Sequence, residues 1–163
     1  EQIHFDEAIL VAVLGLGVNL VSAWLLRPRG GSWTVLQLWR NREVSLSMSS
    51  PVVAGGQVVG FSHFRKGELF GLDPRTGALL WRGEPRSGEH ASLISWGDEL
   101  LVFREDGTLL VGDVGREGLR TPHRHRLGRL GGWAHPAVAA GRLVIRDGDR
   151  LVAFRIVAPR GPE

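Results

Sequence analysis

Residues 69–81 read LFGLDPRTGALLW, and this segment decides the fold. Two short apolar runs flank an Asp-Pro-Arg-Thr-Gly turn, which is the pattern of a β-hairpin. Asp73 can accept hydrogen bonds from the amides that follow it, Thr76 adds a hydroxyl, and Gly77 tolerates the positive φ that closes such a loop. The second run ends at Trp81, a position that predicts a side chain directed at a neighbouring sheet.

The hairpin is one part of a longer repeat. Trp39 and Trp81 stand 42 residues apart, and apolar pairs that follow Gly-bearing turns recur at nearly the same period. A repeat of about 40 to 45 residues with several short strands is typical of one four-stranded blade of a β-propeller. We therefore predict a mainly β fold with about three antiparallel four-stranded blades.

Alternating apolar runs and the turns between them place the strands. The predicted strands cover residues 51–54, 57–64, 68–73 and 78–82, then 91–96, 99–104, 108–113 and 120–127, and finally 136–139, 142–146 and 150–156. Ahead of them, residues 34–39 (TVLQLW) fit the outer strand of a blade whose other three strands are absent. Fewer than four blades cannot close a ring, so the sequence predicts a partial propeller with unpaired edges.

The segment around Trp81 resembles the repeat of the PQQ-like β-propeller family, over about residues 33–157. In that family a tryptophan at this point docks between adjacent blades. The resemblance implies a structural, blade-docking role for five residues, which are Trp39, Asp73, Thr76, Gly77 and Trp81. It names Trp96 as a further candidate for holding blades together.

An uncharged stretch of 19 residues runs from Ala8 to Leu26. A helix of this length spans a bilayer at 1.5 Å per residue, so we predict a transmembrane helix within residues 1–27, with a buried apolar helix as the alternative. Arg27 and Arg29 follow the stretch, whereas acidic residues precede it. The positive-inside rule therefore predicts a single-pass membrane protein with cytoplasmic blades, and extracytoplasmic blades are the alternative.

Residues 4–26 resemble a transmembrane helix of the cation diffusion facilitator metal exporters. The paired His and Asp transport ligands of that family lie on other helices and have no counterpart here. Two unrelated resemblances meet in the linker, residues 28–32, which suggests a junction. The chain is interpreted either as an authentic membrane-anchored propeller piece or as a fragment or fusion product. Residues 33–158 form the predicted propeller segment, and residues 159–163 a disordered tail.

Composition excludes several kinds of chemistry. The chain contains no Cys, so it forms no disulfides and lacks the vicinal Cys pair that the resemblance implies for authentic PQQ dehydrogenases. Its formal net charge is only +3, and we predict no nucleic-acid binding from so small an excess. We predict no cofactor.

Few side chains suggest a reactive site. His123 and His125 alternate along a possible strand and could bind a metal ion with His135. The stretch holds no carboxylate or Cys, however, and we assign these histidines no metal. Asp73 and Asp113 are interpreted as turn residues rather than catalytic bases.

Ser49, His63 and Asp73 supply the residue types of a catalytic triad, but the sequence provides no geometry for one. We therefore predict no catalytic, cofactor-binding or metal-binding residues. The predicted function is a non-enzymatic, membrane-tethered scaffold that binds a protein partner, or a second copy, through its open blade edges. The alternatives are a remnant of a cation diffusion facilitator efflux protein and the tail of a PQQ-dependent oxidoreductase.

Overall fold

The computed structural model describes residues 34–128 and 134–157, except the side chain of Thr121, together with Leu16, Val21, Ser22 and Trp24. The chain divides into two compact units, Glu1–Leu36 and Gln37–Glu163. The four separately described residues of the first unit are helical and exposed. All eleven strands of the described residues belong to the second unit.

The predicted helix between Ala8 and Leu26 lies mostly outside the described residues, as do the linker 28–32 and the tail 159–163. Within the part of the chain that the structure describes, no helix is long and apolar enough to cross a membrane. A bilayer span needs about 20 consecutive, mainly apolar helical residues. On this finding the predicted single-pass membrane location is wrong, and so is the cytoplasmic orientation derived from it.

The second unit contains three antiparallel sheets in chain order. Sheet 1 consists of β1 (Val52–Ala54), β2 (Gln57–Ser62), β3 (Glu68–Leu72) and β4 (Leu79–Arg82). Sheet 2 consists of β5 (Ala91–Trp96), β6 (Glu99–Arg104), β7 (Thr108–Gly115) and β8 (Gly118–Arg126). Sheet 3 has three strands, β9 (Ala137–Ala139), β10 (Arg142–Asp147) and β11 (Arg150–Arg155).

The predicted mainly β fold is confirmed. Every strand predicted from Pro51 onward is present, with both ends within two residues of the predicted bounds. Each sheet is a meander in which consecutive strands pair, and the sheets pack face to face in chain order. Consecutive blades of a propeller are arranged in this way.

The strand predicted at residues 34–39 is absent. No strand is assigned between residues 34 and 45, and only an isolated bridge joins Leu46 to Ser62. A strand needs a neighbouring ladder for its backbone groups, and the described residues hold no sheet ahead of sheet 1. Residues 39–46 instead cover the free face of sheet 1, where Trp39 and Leu46 pack against Phe70 and Leu72.

Sheet 2 is buried on both faces, and its central strand β6 reads as a continuous apolar run for that reason. Leu100 and Val102 face sheet 1, where they pack with Val59 and Trp81. The alternate residues of β6 face sheet 3. The cluster on that side contains Leu101, Phe103, Leu109, Leu143 and Ile145.

Sheet 1 buries a charged cluster that the sequence did not reveal. Glu68 is fully buried at the start of β3, and its carboxylate pairs with Arg65 at 2.8 Å and with Arg82. Arg82 also donates to the backbone carbonyl of Glu43 at 2.8 Å. A carboxylate buried this completely requires such partners, because an unpaired charge in the interior is strongly unfavourable.

Candidate functional site

The Asp-Pro-Arg-Thr-Gly turn between β3 and β4 is closed by Asp73. Its Oδ1 accepts hydrogen bonds from the amides of Arg75 at 2.7 Å and Thr76 at 3.0 Å. These bonds, that of Thr76 first, lower the pKa of the Asp73 carboxyl because they stabilise its charged form. The Thr76 hydroxyl accepts from the amide of Ala78 at 3.3 Å, and Gly77 takes a φ of +71°.

Trp39 lies on this turn, half-buried, although it belongs to no strand. Its indole Nε1 donates to the carbonyl of Pro74 at 2.9 Å. The ring lies so close to Gly77 that a Cβ there would be 2.5 Å from the ring carbons. Asn41 donates to the carbonyl of Gly77 at 2.8 Å and holds the segment in place.

Trp81 lies in the interface between sheets 1 and 2 and is only 7% exposed. Its ring covers Gly71, where a Cβ would collide with the indole nitrogen. The Nε1 of Trp81 donates to Gln57 Oε1 at 2.6 Å, and Gln57 Nε2 donates to the carbonyl of Gly115 at 3.0 Å. Since Gly115 ends β7, this chain of hydrogen bonds joins the two sheets.

The two tryptophans occupy corresponding places. Each lies against a glycine at the start of the fourth strand of a sheet: Trp39 against Gly77, in the turn before β4, and Trp81 close to Gly118, the first residue of β8. The 42-residue spacing of the two tryptophans therefore corresponds to one step from sheet to sheet.

The next step of 42 residues reaches His123 rather than a tryptophan. The strand registers support this correspondence, because Trp81 pairs with Gly71 in sheet 1 and His123 pairs with Val111 in sheet 2. A histidine is smaller than a tryptophan. Val111, opposite His123, carries a side chain, whereas Gly71, opposite Trp81, has none. The sequence spacing that identified Trp81 could have identified this position.

A cleft of about 440 Å³ lies between sheets 2 and 3 at His123. Its apolar walls come from both sheets and are formed by Trp96, Leu109, Val111, Leu127, Leu143, Phe154, Ile156 and Val157. Its polar lining residues are Glu99, His123, His125 and Arg155. We define these residues as the sheet 2–sheet 3 cleft.

The free edge of β11 borders this cleft. In sheet 3, β11 pairs only with β10 among the described residues, whereas β3 and β7 each have a fourth strand beside them. The amide of Ile156 donates to the carbonyl of Gly141, so the alternation of antiparallel pairs directs the backbone groups of Leu151, Ala153 and Arg155 to the free side. These unpaired groups can accept another strand.

Two of the three histidines considered as metal ligands lie together. His123 and His125 line the cleft, and His135 is not one of its lining residues. Among the residues that the structure describes, no three His, Cys, Asp or Glu side chains converge at a spacing suited to a metal ion.

His90 forms a buried polar cluster that sequence reasoning missed, and no sequence pattern marked it. The side chain is 3% exposed, with Nδ1 3.4 Å from Ser49 Oγ and Nε2 3.5 Å from Ser92 Oγ. Its backbone amide donates to the Glu105 carboxylate at 3.0 Å. Burial lowers the pKa of His90, with a smaller contribution from His135, while the charge of Glu105 raises it.

The triad residue types do not assemble. Ser49 donates its hydroxyl hydrogen to the carbonyl of Ala91 at 2.5 Å, His63 packs edge-on against Phe64, and Asp73 closes its turn. Neither His63 nor Asp73 contacts Ser49 in the described geometry. Ser49 therefore forms no triad with His63 and Asp73, and the imidazole beside it is that of His90.

Comparison with known proteins leaves the family open. No protein-family model matches the sequence, and no curated protein matches it. The resemblance to cation diffusion facilitators therefore has no support. Solved structures do match: BamB from Moraxella catarrhalis is 20% identical, with a TM-score of 0.46, over 65% of this chain and 32% of BamB.

Two computationally designed proteins are also similar. Ika8 is 18% identical, with a TM-score of 0.49, over 67% of this chain and 33% of its own. Ika4 is 18% identical, with a TM-score of 0.49, over 76% of this chain and 74% of its own. The chain thus spans about a third of the length of BamB and of Ika8.

Replacing Trp81 with Ala should destabilise the protein by about 3 to 5 kcal/mol, because it removes a buried ring and leaves Gln57 without its donor. Urea denaturation of the full chain measures this change. Leu80→Ala is the matched control, since Leu80 is the adjacent residue and is 47% exposed, and it should cost less than about 1 kcal/mol. Similar small losses for both variants would contradict the packing role of Trp81.

Stability should fall as the pH drops below 6.5, the ordinary pKa of histidine. The unfolded chain binds a proton at His90 in this range while the folded chain resists it, so the equilibrium shifts toward unfolding. Urea midpoints at pH 7.5, 6.5 and 5.5 measure the effect. His90→Gln should show a smaller fall than the wild type. Equal pH dependence in the two proteins would refute the role of His90.

Proposed function

We propose that this chain is a non-enzymatic protein-interaction module built from PQQ-like β-propeller repeats. In this proposal it binds an extended protein segment at the free edge of β11. The observation that carries it is the third sheet: within the described residues, sheets 1 and 2 have four strands, whereas sheet 3 has three beside an apolar cleft.

Strand addition suits this edge. Leu151, Ala153 and Arg155 direct free backbone groups outward, so a bound segment would gain main-chain hydrogen bonds. A segment added there would border the cleft, whose lining includes His123 and His125 of β8 and Phe154 of β11. Its inward side chains would reach the sheet 2–sheet 3 cleft, where burial of apolar surface favours binding.

The environment of the polar side chains favours binding over catalysis. Asp73 is engaged by backbone amides, Asp113 pairs with Arg120, and the Ser49 hydroxyl is directed at a backbone carbonyl. Catalytic acids and nucleophiles require a partner that activates them at a site open to substrate. A large apolar cleft beside an unpaired strand is instead a feature of peptide-binding surfaces.

The chain's own fourth-strand sequence provides a probe for this edge. A fluorescein-labelled peptide with the sequence of residues 77–83, GALLWRG, should bind the full chain saturably, as measured by fluorescence anisotropy. Ala153→Pro should weaken binding at least tenfold, because it removes one outward amide without disturbing the β10 ladder. Ala153→Ser keeps the amide and is the matched control.

Thermal melts of the two variants show whether both are folded. Equal affinity of the peptide for Ala153→Pro and Ala153→Ser, or absence of saturable binding to the wild type, would overturn strand addition at β11.

A further inference from the structure

We propose that residues 34–38 of a second copy of this chain occupy the free edge of β11 and become the fourth strand of sheet 3. This inference rests on the proposed function, in which that edge accepts an extended segment. It adds the identity of the bound segment. It also predicts that the protein self-associates, because residues 34–38 of each copy would complete sheet 3 of the next copy.

The repeat identifies residues 34–39 as a fourth-strand sequence. TVLQLW precedes TGALLW, residues 76–81, by 42 residues, and the end of TGALLW forms β4, the fourth strand of sheet 1. Residues 34–39 form no strand in the structure. Among the described residues, the chain therefore carries one fourth-strand sequence without a sheet, and one sheet without a fourth strand.

The apolar side chains of this segment are exposed. Val35 is 93% exposed, Leu36 76% and Leu38 81%. Three large apolar side chains in five consecutive residues form a strip that gains free energy when it leaves water. Leu151 on β11, at 79% exposed, lies at the edge that the strip would join.

The dimensions of the two elements agree. Five extended residues span about 17 Å, close to the length of the six-residue strand β11. Alternation places Leu36 and Leu38 on one face and Val35 on the other. With Leu36 and Leu38 directed at the sheet 2–sheet 3 cleft, Val35 lies on the outer face beside Leu151.

Residues 34–38 are anchored at their C-terminal end on sheet 1, whereas the free edge of β11 belongs to sheet 3. Trp39, the next residue, is held on sheet 1 by its hydrogen bond to Pro74 and by its contact with Gly77. Pairing with β11 of a second copy thus joins sheet 1 of one molecule to sheet 3 of another. Such head-to-tail contacts are heterologous, and they close into rings or extend into chains.

Thiol crosslinking tests this pairing directly, because the natural chain has no Cys. Full-length Val35→Cys and Leu151→Cys proteins are purified separately, mixed, and treated with a short bismaleimide. The expected result is a crosslinked dimer containing one copy of each variant, identified by mass spectrometry, in greater yield than either protein forms alone. Val35→Cys mixed with Val53→Cys is the matched control, since Val53 is also an exposed strand residue.

Sedimentation velocity provides a second readout that does not require crosslinking. The wild type should associate with rising concentration, and the double variant Leu36→Lys, Leu38→Lys should remain a monomer. The double variant Met48→Lys, Val53→Lys replaces two residues of similar exposure elsewhere and should associate as the wild type does. All substituted side chains are exposed, so the fold of the monomer is not at risk.

The possible outcomes separate this inference from the proposed function. If mixing yields no heterodimer while GALLWRG still discriminates Ala153→Pro from Ala153→Ser, the second-copy inference is overturned and the peptide-binding edge stands. If the doubly substituted chain Val35→Cys, Leu151→Cys crosslinks within a monomer, the segment comes from the same chain and the inference is also overturned. If neither peptide nor second copy binds, both proposals fail.

Discussion

The stacking of the sheets depends on the indole of Trp81. The ring fits over Gly71 because that residue has no Cβ, and its nitrogen is bonded to Gln57, which itself reaches the carbonyl of Gly115 in the next sheet. A large apolar ring between two sheets would otherwise bury a polar N–H without a partner, at a substantial cost in free energy. The glycine and the glutamine therefore permit the tryptophan to pack, and the tryptophan holds sheet 1 on sheet 2.

The interface between sheets 2 and 3 has no tryptophan in this position, and the cleft between those two sheets follows from this difference. His123 in sheet 2 corresponds to Trp81 in sheet 1. The residue paired with His123 is Val111, which has a side chain, whereas the residue paired with Trp81 is Gly71. Glu99 begins β6 as Gln57 begins β2. Sheets 2 and 3 still pack through the apolar residues of β6 and β10, but a cleft remains where the indole is missing. The third sheet also lacks a fourth strand in the described residues, so the cleft and the free edge of β11 adjoin.

The N-terminal part shows where pattern reasoning fails. The uncharged stretch from Ala8 to Leu26 predicted a membrane span, yet no helix in the described residues is long and apolar enough for one. At residues 34–39 the alternating pattern predicted a strand, but a strand exists only beside a ladder that pairs its backbone. Trp39 nevertheless lies on the turn of sheet 1, because its contacts with Gly77 and Pro74 do not require a strand.

By itself the sequence determined the strands, their order and the turn at Asp73, because these depend on alternation and on residues within a few positions of each other. Only the tertiary structure decided what those strands bury. Glu68 begins an ordinary strand in sequence, but it is fully buried between Arg65 and Arg82. His90 meets Ser49 and Glu105 from distant segments, and His123 borders a cleft formed with sheet 3. Such contacts join residues far apart in the chain, and local periodicity carries no information about them.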